Sequence, residues 1–181
     1  NRKSPQEMIE SAMKQLILMR HGHADMGAEG QNDFERTLNT SGQSASKDAG
    51  DWIVAHGPQP DVVLFSAAHR TTETWDIVRK SFSATPDEHA SEDLYLASPG
   101  TLLANIEKLD DDFQTALVIG HNPGLESLTR LMAGPGSDQD AANSLMLGFP
   151  AAGRAVIALN GERWRTMSAE GGKLTAFVSS T

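Results

Sequence analysis

The 181-residue chain contains no cysteine. That absence removes thiol nucleophiles, disulfide frameworks and thiolate metal sites together, and it is compatible with a reducing compartment. Cations are scarce too: 15 Lys and Arg stand against 24 Asp and Glu, for a formal charge of -9. Nucleic acid and anionic membranes are drawn to positive fields, so neither is expected as a partner, and any phosphate site must be a local basic pocket. Long apolar runs are missing as well. Runs such as Leu16 to Met19 fall far short of the roughly 20 residues a membrane span requires. The stretch Asn1 to Lys14 has scattered charges and no apolar segment of a secretory signal, which makes a cytoplasmic location the default expectation.

What is present reads as one domain over 1–181, with 1–14 as an N-terminal extension and 15–181 as the core. Gln15 to Met19 is a short apolar run stopped by Gly22, the pattern of a buried parallel strand. Gly27 to Thr40 is loop-like, and Ser41 is a plausible N-cap for a helix running to about Ala55. Val62 to Phe65 is a second strand, followed by a helix from about Arg70 to Phe82. Ser98-Pro99 opens a helix to about Leu109, and Ala116 to Ile119 is a third buried strand. A helix over Leu125 to Met132, a loop over Gly134 to Asp140, and strands over Ala155 to Leu159 and Trp164 to Ser168 complete the reading. Alternating strands and helices predict a three-layer α/β/α sandwich on a mostly parallel central sheet.

Ligands of such sheets lie beyond the strands' carboxyl ends. Three segments directly follow predicted core strands: Arg20-His21, Ser66 to Arg70, and His121-Asn122. A histidine attacks phosphorus as neutral imidazole, a form abundant near neutral pH, and His21 can supply it. Charge on a transferring phosphoryl group calls for fixed cationic donors, and guanidinium forks match its geometry, which suits Arg20 and Arg70. His121 could add electrostatic stabilisation as a second imidazole. This set calls for no metal and no cofactor.

At these residues the chain resembles the histidine phosphatase, or phosphoglycerate mutase-like, superfamily. Arg20-His21-Gly22 looks like its signature, Ser66 to Thr74 is similar to its serine, arginine and threonine motif, and Gly120 to Gly124 is similar to its second-histidine motif. The resemblance covers about Leu16 to Leu131, and the compact length together with Arg36 and Leu38 looks most like the small SixA-type phosphohistidine phosphatases. It implies the phosphoglycerate mutase-like fold, a phosphohistidine formed on His21, and a phosphate held by Arg20, Arg70 and His121. The implied substrate is a phosphorylated small molecule or a phosphoprotein.

Family members acting on esters place a carboxylic acid before the third helix, because an alcohol departs poorly without a proton. Asp93 matches that position best, beside Glu92, with Asp25 and Glu29 as outsiders. A phosphoramidate nitrogen can carry its own proton, so such a substrate needs the acid less. Arg36 either reaches the phosphate or braces its loop; His23 either lines the pocket or faces solvent. Glu73 could pair with Arg70 on a helix face, while His56, His69 and His89 read as surface residues. Alternatives to a phosphatase are a non-catalytic module that binds a phosphorylated ligand and, from the same family, a phosphomutase.

Overall fold

The computed structural model describes residues 13–179. The expected extension therefore lies outside the described residues up to position 12. Lys14 is buried and donates from Nζ to the carbonyls of Asp111 and Phe113.

The strands β1 (Gln15–Arg20), β2 (Val62–Ser66), β3 (Asp87–Ser91), β4 (Thr115–Gly120), β5 (Arg154–Leu159) and β6 (Gly172–Val178) form one six-stranded sheet in the order β3-β2-β4-β1-β5-β6. Helices are α1 (Thr40–His56), α2 (His69–Val78), α3 (Pro99–Ile106), α4 (Gly124–Met132), α5 (Gln139–Met146) and the short α6 (Met167–Glu170). Side chains alternate across a strand, so an unbroken apolar strand must be covered on both faces. Leu16 and Leu18 enter one core with Leu102, Leu125 and Leu128, while Ile17 and Met19 enter the other with Ile53, Trp75 and Val78. The three layers follow from that alternation. No helix among the described residues is long and apolar enough to cross a membrane.

The sheet is mixed, which corrects the expectation of a mostly parallel one. β1 pairs with β4, β2 with β3 and β2 with β4 in parallel, whereas β5 is antiparallel to both β1 and β6. β3 was missed because its Asp, Glu and His residues are exposed at a sheet edge, where charge guards against unwanted pairing. Trp164 to Ser168 is no strand: Trp164 to Thr166 form a 3₁₀ turn that runs into α6, and the last strand is β6. Two tertiary bonds fix that turn, Trp164 N to Asp111 Oδ1 (2.9 Å) and Trp164 Nε1 to the Phe113 carbonyl (3.0 Å). The loop expected over Gly134 to Asp140 ends at Asp138, the N-cap of α5, which starts at Gln139. α1 is capped by Asn39, whose side chain accepts from Gly42 N at 2.8 Å, and Ser41 lies inside the helix.

The parallel register levels three strand ends. Arg20 stands opposite Gly120, and Phe65 opposite Ile119, so the residues after β1, β2 and β4 emerge at one edge of the sheet. α1 packs close against the first of them. A Cβ on Gly42 would lie 2.1 Å from the His23 carbonyl oxygen, and one on Gly22 would lie 2.6 Å from the Gly42 carbonyl oxygen. Only glycine permits this approach of helix to loop.

Candidate active site

The backbone of Arg20-His21-Gly22 is tied on all sides. Arg20 N donates to the Gly153 carbonyl (3.0 Å), His21 N to the Gly120 carbonyl (3.1 Å), and Ala152 N to the His21 carbonyl (3.0 Å). Gly22 N donates to Thr74 Oγ1 on α2 at 2.9 Å. The His21 ring is anchored at one nitrogen: Nδ1 lies 2.7 Å from the Gly22 carbonyl oxygen, which can only accept. That bond assigns the proton to Nδ1 and makes Nε2 the nitrogen that carries the lone pair. Arg70 Nε donates toward Nε2 at 3.3 Å. Burial, above all, lowers the His21 pKa to about 4; the Gly22 carbonyl opposes the shift, and the charges of Arg70, Arg20 and Arg36 add to it. The ring is therefore neutral at physiological pH.

Arg70, the second residue of α2, is buried among acceptors. Besides His21 it donates from Nη1 to the Asp33 carbonyl (2.6 Å) and from Nη2 to Asp33 Oδ2 (3.0 Å), and Nη2 lies 3.4 Å from His121 Nδ1. His121, just past β4, stands with its ring centroid 5.0 Å from that of His21. Its Nε2 lies 2.8 Å from Ser66 Oγ and 3.3 Å from Thr71 Oγ1, both buried. Arginine cannot accept, so the neutral His121 ring turns its lone pair to Arg70 and its N–H to Ser66. Its pKa is lowered to about 3, first by burial and then by His21 and Arg70, with Asp33 opposing. Arg20 donates from Nη1 to the Phe149 carbonyl at 2.9 Å, while its buried Nε has no hydrogen-bond partner among the described residues.

These groups line a cavity of about 350 Å³, and His23, Arg36, Asp33 and Leu96 complete part of its wall. The structure thus brings Arg20, His21, Arg70 and His121 together, and it sets Arg36 and His23, for which the sequence left two alternatives each, on the same wall. It does not bring the expected carboxylates there. Asp93 and Glu92 are exposed in a 3₁₀ turn after β3 and do not line the cavity; Asp93 N is spent on Ser91 Oγ at 3.2 Å. Asp25 and Glu29 are exposed and do not line it either. Glu73 does not pair with Arg70: its Oε2 accepts from Leu38 N at 2.7 Å and so docks the end of the preceding loop.

The carboxylate that does line the cavity is Asp33. It accepts from Tyr95 Oη (2.5 Å) and Arg70 Nη2 (3.0 Å) on Oδ2, and from Arg36 Nη1 (2.9 Å) on Oδ1. Tyr95 and then Arg36 hold its carboxyl well below the usual carboxylate range; burial opposes them, and Arg70 adds to the lowering. Asp33 is ionised and donates nothing. Arg36 is turned inward by Asp33 and by the carbonyls of Asp25 (2.7 Å) and Ala24 (3.4 Å), so it both lines the cavity and braces its loop. Tyr95 meets the His121 ring edge-on, with centroids 5.4 Å apart.

Neither Asp33 nor Tyr95 was singled out from sequence. Asp33 is one polar residue of a polar loop, and Tyr95 sits in a run of ambiguous periodicity. Ser66 and Thr71 lay inside a recognised motif without an assigned role. Among the described residues, no group of three or more His, Cys, Asp or Glu could hold a metal ion.

The pattern of the histidine phosphatase superfamily (branch 1) matches residues 16–94, which contain β1, β2 and two of the three motif segments. An uncharacterized protein of Mycobacterium leprae is 32% identical over 145 residues, covering 80% of this chain and 87% of that protein. Among solved structures, the "Putative Phosphohistidine Phosphatase SixA" of Nakamurella multipartitia matches with a TM-score of 0.79 at 28% identity, over 92% of this chain and 96% of that one. The like-named protein of Agrobacterium tumefaciens gives 0.77 at 27% identity, over 92% and 98%. Sequence, architecture and the paired histidines at levelled strand ends agree: the chain belongs to the histidine phosphatase superfamily, among its SixA-like members.

Proposed function

We propose that this protein is a phosphatase that works through a phosphohistidine on His21 and acts on phosphoramidates, such as phosphohistidine in a protein or a small N-phosphorylated metabolite, in preference to phosphate esters. Family membership and the SixA-named neighbours support phosphatase activity. The observation that carries the substrate class is the proton inventory of the cavity. The one carboxylate among its described lining residues, Asp33, is ionised and held by three donors, so it cannot protonate an alkoxide. A phosphoramidate nitrogen brings its own proton.

In the first step the His21 Nε2 lone pair attacks phosphorus. The bond from phosphorus to the substrate nitrogen breaks, and its electron pair leaves with that protonated nitrogen. Arg70 gives up Nε2 to the new bond and, with Arg20, turns its guanidinium to the phosphoryl oxygens, where negative charge gathers. The arriving anion raises the pKa of His121, which can then donate from Nδ1. Water next attacks phosphorus, the bond to Nε2 breaks, and orthophosphate leaves. His23 and Arg36, on the cavity wall, meet the departing group. None of these steps calls on a metal.

Phosphate release in the presence of a chelator, from a phosphohistidine-bearing protein, from phosphoramidate and from an alkyl phosphate, tests the reading. Turnover of the two phosphoramidates should exceed that of the ester by at least about tenfold, and His21→Ala should abolish all three. Equal rates on ester and phosphoramidate would refute the substrate class.

A further inference from the structure

The cavity carries a negative charge of its own at the place where a phosphate binder should avoid one. A guanidinium presents Nε and Nη2 along one edge, the fork that takes two oxygens of a phosphoryl group. In Arg70 that edge is occupied: Nε faces His21 Nε2 at 3.3 Å, and Nη2 donates to Asp33 Oδ2 at 3.0 Å. Asp33 Oδ2 thus stands where a phosphoryl oxygen would. The remaining contacts divide the labour within this residue. Its main-chain carbonyl holds Arg70 Nη1 at 2.6 Å, which orients the guanidinium independently of the carboxylate. The carboxylate has two further donors, Tyr95 Oη at 2.5 Å and Arg36 Nη1 at 2.9 Å. It can therefore release Nη2 to a ligand without being left unpaired.

We infer that Asp33 is a specificity-determining residue: a built-in anion that competes with the phosphoryl group for the Nε/Nη2 edge of Arg70, disfavours ligands of high negative charge, and speeds the loss of orthophosphate. The inference rests on the phosphoryl site proposed above. A phosphoramidate with a protonated nitrogen carries one negative charge fewer than the corresponding ester dianion, so the same carboxylate also sorts substrates in the direction of the proposed class. Asp33 is 45% exposed on its side chain, which weakens the repulsion by solvent screening without removing it.

Calorimetric titration with orthophosphate tests this without turnover. Removing one charge about 5 Å from a bound anion, at an effective dielectric near 20 and with that exposure, should tighten binding about tenfold or more in Asp33→Asn. Asp33→Glu should restore an affinity near wild type. Tyr95→Phe, which keeps the ring but leaves the carboxylate more fully to Arg70, should move the other way and weaken binding about threefold. A residue that merely held Arg70 in place would give weaker binding in both variants. Unchanged or weaker orthophosphate binding by folded Asp33→Asn would overturn the inference, as would tighter binding by Tyr95→Phe should Asp33→Asn not fold. Failure of wild type and Asp33→Asn alike to bind orthophosphate would instead overturn the phosphoryl site, and this inference with it.

Discussion

A nucleophilic histidine with a pKa of about 4 makes a quantitative demand on the rate profile. At pH 5 such a group is about 90% neutral, whereas one at the ordinary value near 6.5 is only about 3% neutral, a difference of roughly thirtyfold in competent enzyme. Since kcat/KM reports the free enzyme, its acid limb should fall with a midpoint near 4 and stay flat above about pH 5. The assay is kcat/KM for an aryl phosphate from pH 4 to 8 with chelator present, corrected for the ionisation of the substrate. The ring shifts of His21 in ligand-free protein, read by NMR, give the same midpoint directly. Stability should follow. The unfolded rings take up protons near pH 6.5, while folded His21 and His121 do so only near about 4 and about 3, so between these limits the unfolded state holds more protons. Stability is then fully present above pH 6.5 and declines as pH falls from there toward 4. A kinetic midpoint near 6.5 would refute the reasoning, because it would mean that burial and the arginines do not keep the ring neutral.

Other substitutions separate the roles of neighbouring groups. Ser66→Ala removes a buried partner of His121 Nε2 and of Ala68 N; losing one such bond costs about 1–3 kcal/mol, and we expect a tenfold or greater fall in kcat with KM little changed. Gly42→Ala would force a Cβ to 2.1 Å from the His23 carbonyl oxygen, so thermal unfolding should show a loss of about 1–3 kcal/mol, with kcat/KM falling as the loop after His21 shifts. Asp93→Asn should leave rates on both ester and phosphoramidate within about twofold of wild type, since the side chain is exposed and away from the cavity. A specific loss on esters would return Asp93 to the mechanism.

The parts of the fold legible in sequence are those whose signal is local. β1, β2 and β4 announce themselves because burial on both faces demands unbroken apolar residues, and the glycine or turn chemistry after them marks where each ends. Arg20, His21, Arg70 and His121 were legible for the same reason, as polar residues set just past such runs. β3 follows the opposite rule, with exposed charge at an edge, and carries no apolar period to read. Trp164 looked like strand because it is large and apolar, yet its conformation is decided by Asp111 and Phe113, some fifty positions earlier in the chain. Asp33 and Tyr95 are joined across 62 positions by a hydrogen bond that no spacing rule reports. Asp93 was matched by position alone: it precedes α3 as expected, but the 3₁₀ turn holding it leaves it exposed to solvent.

The most direct test of the account is to trap the covalent intermediate. Wild-type protein mixed with a phosphoramidate donor, quenched in alkali and mapped by tandem mass spectrometry, should carry one phosphoryl group on His21. The modification should be acid-labile and disappear in His21→Ala. Phosphorylation at any other residue, or phosphate release by His21→Ala at the wild-type rate, would contradict the assignment of His21 as the nucleophile.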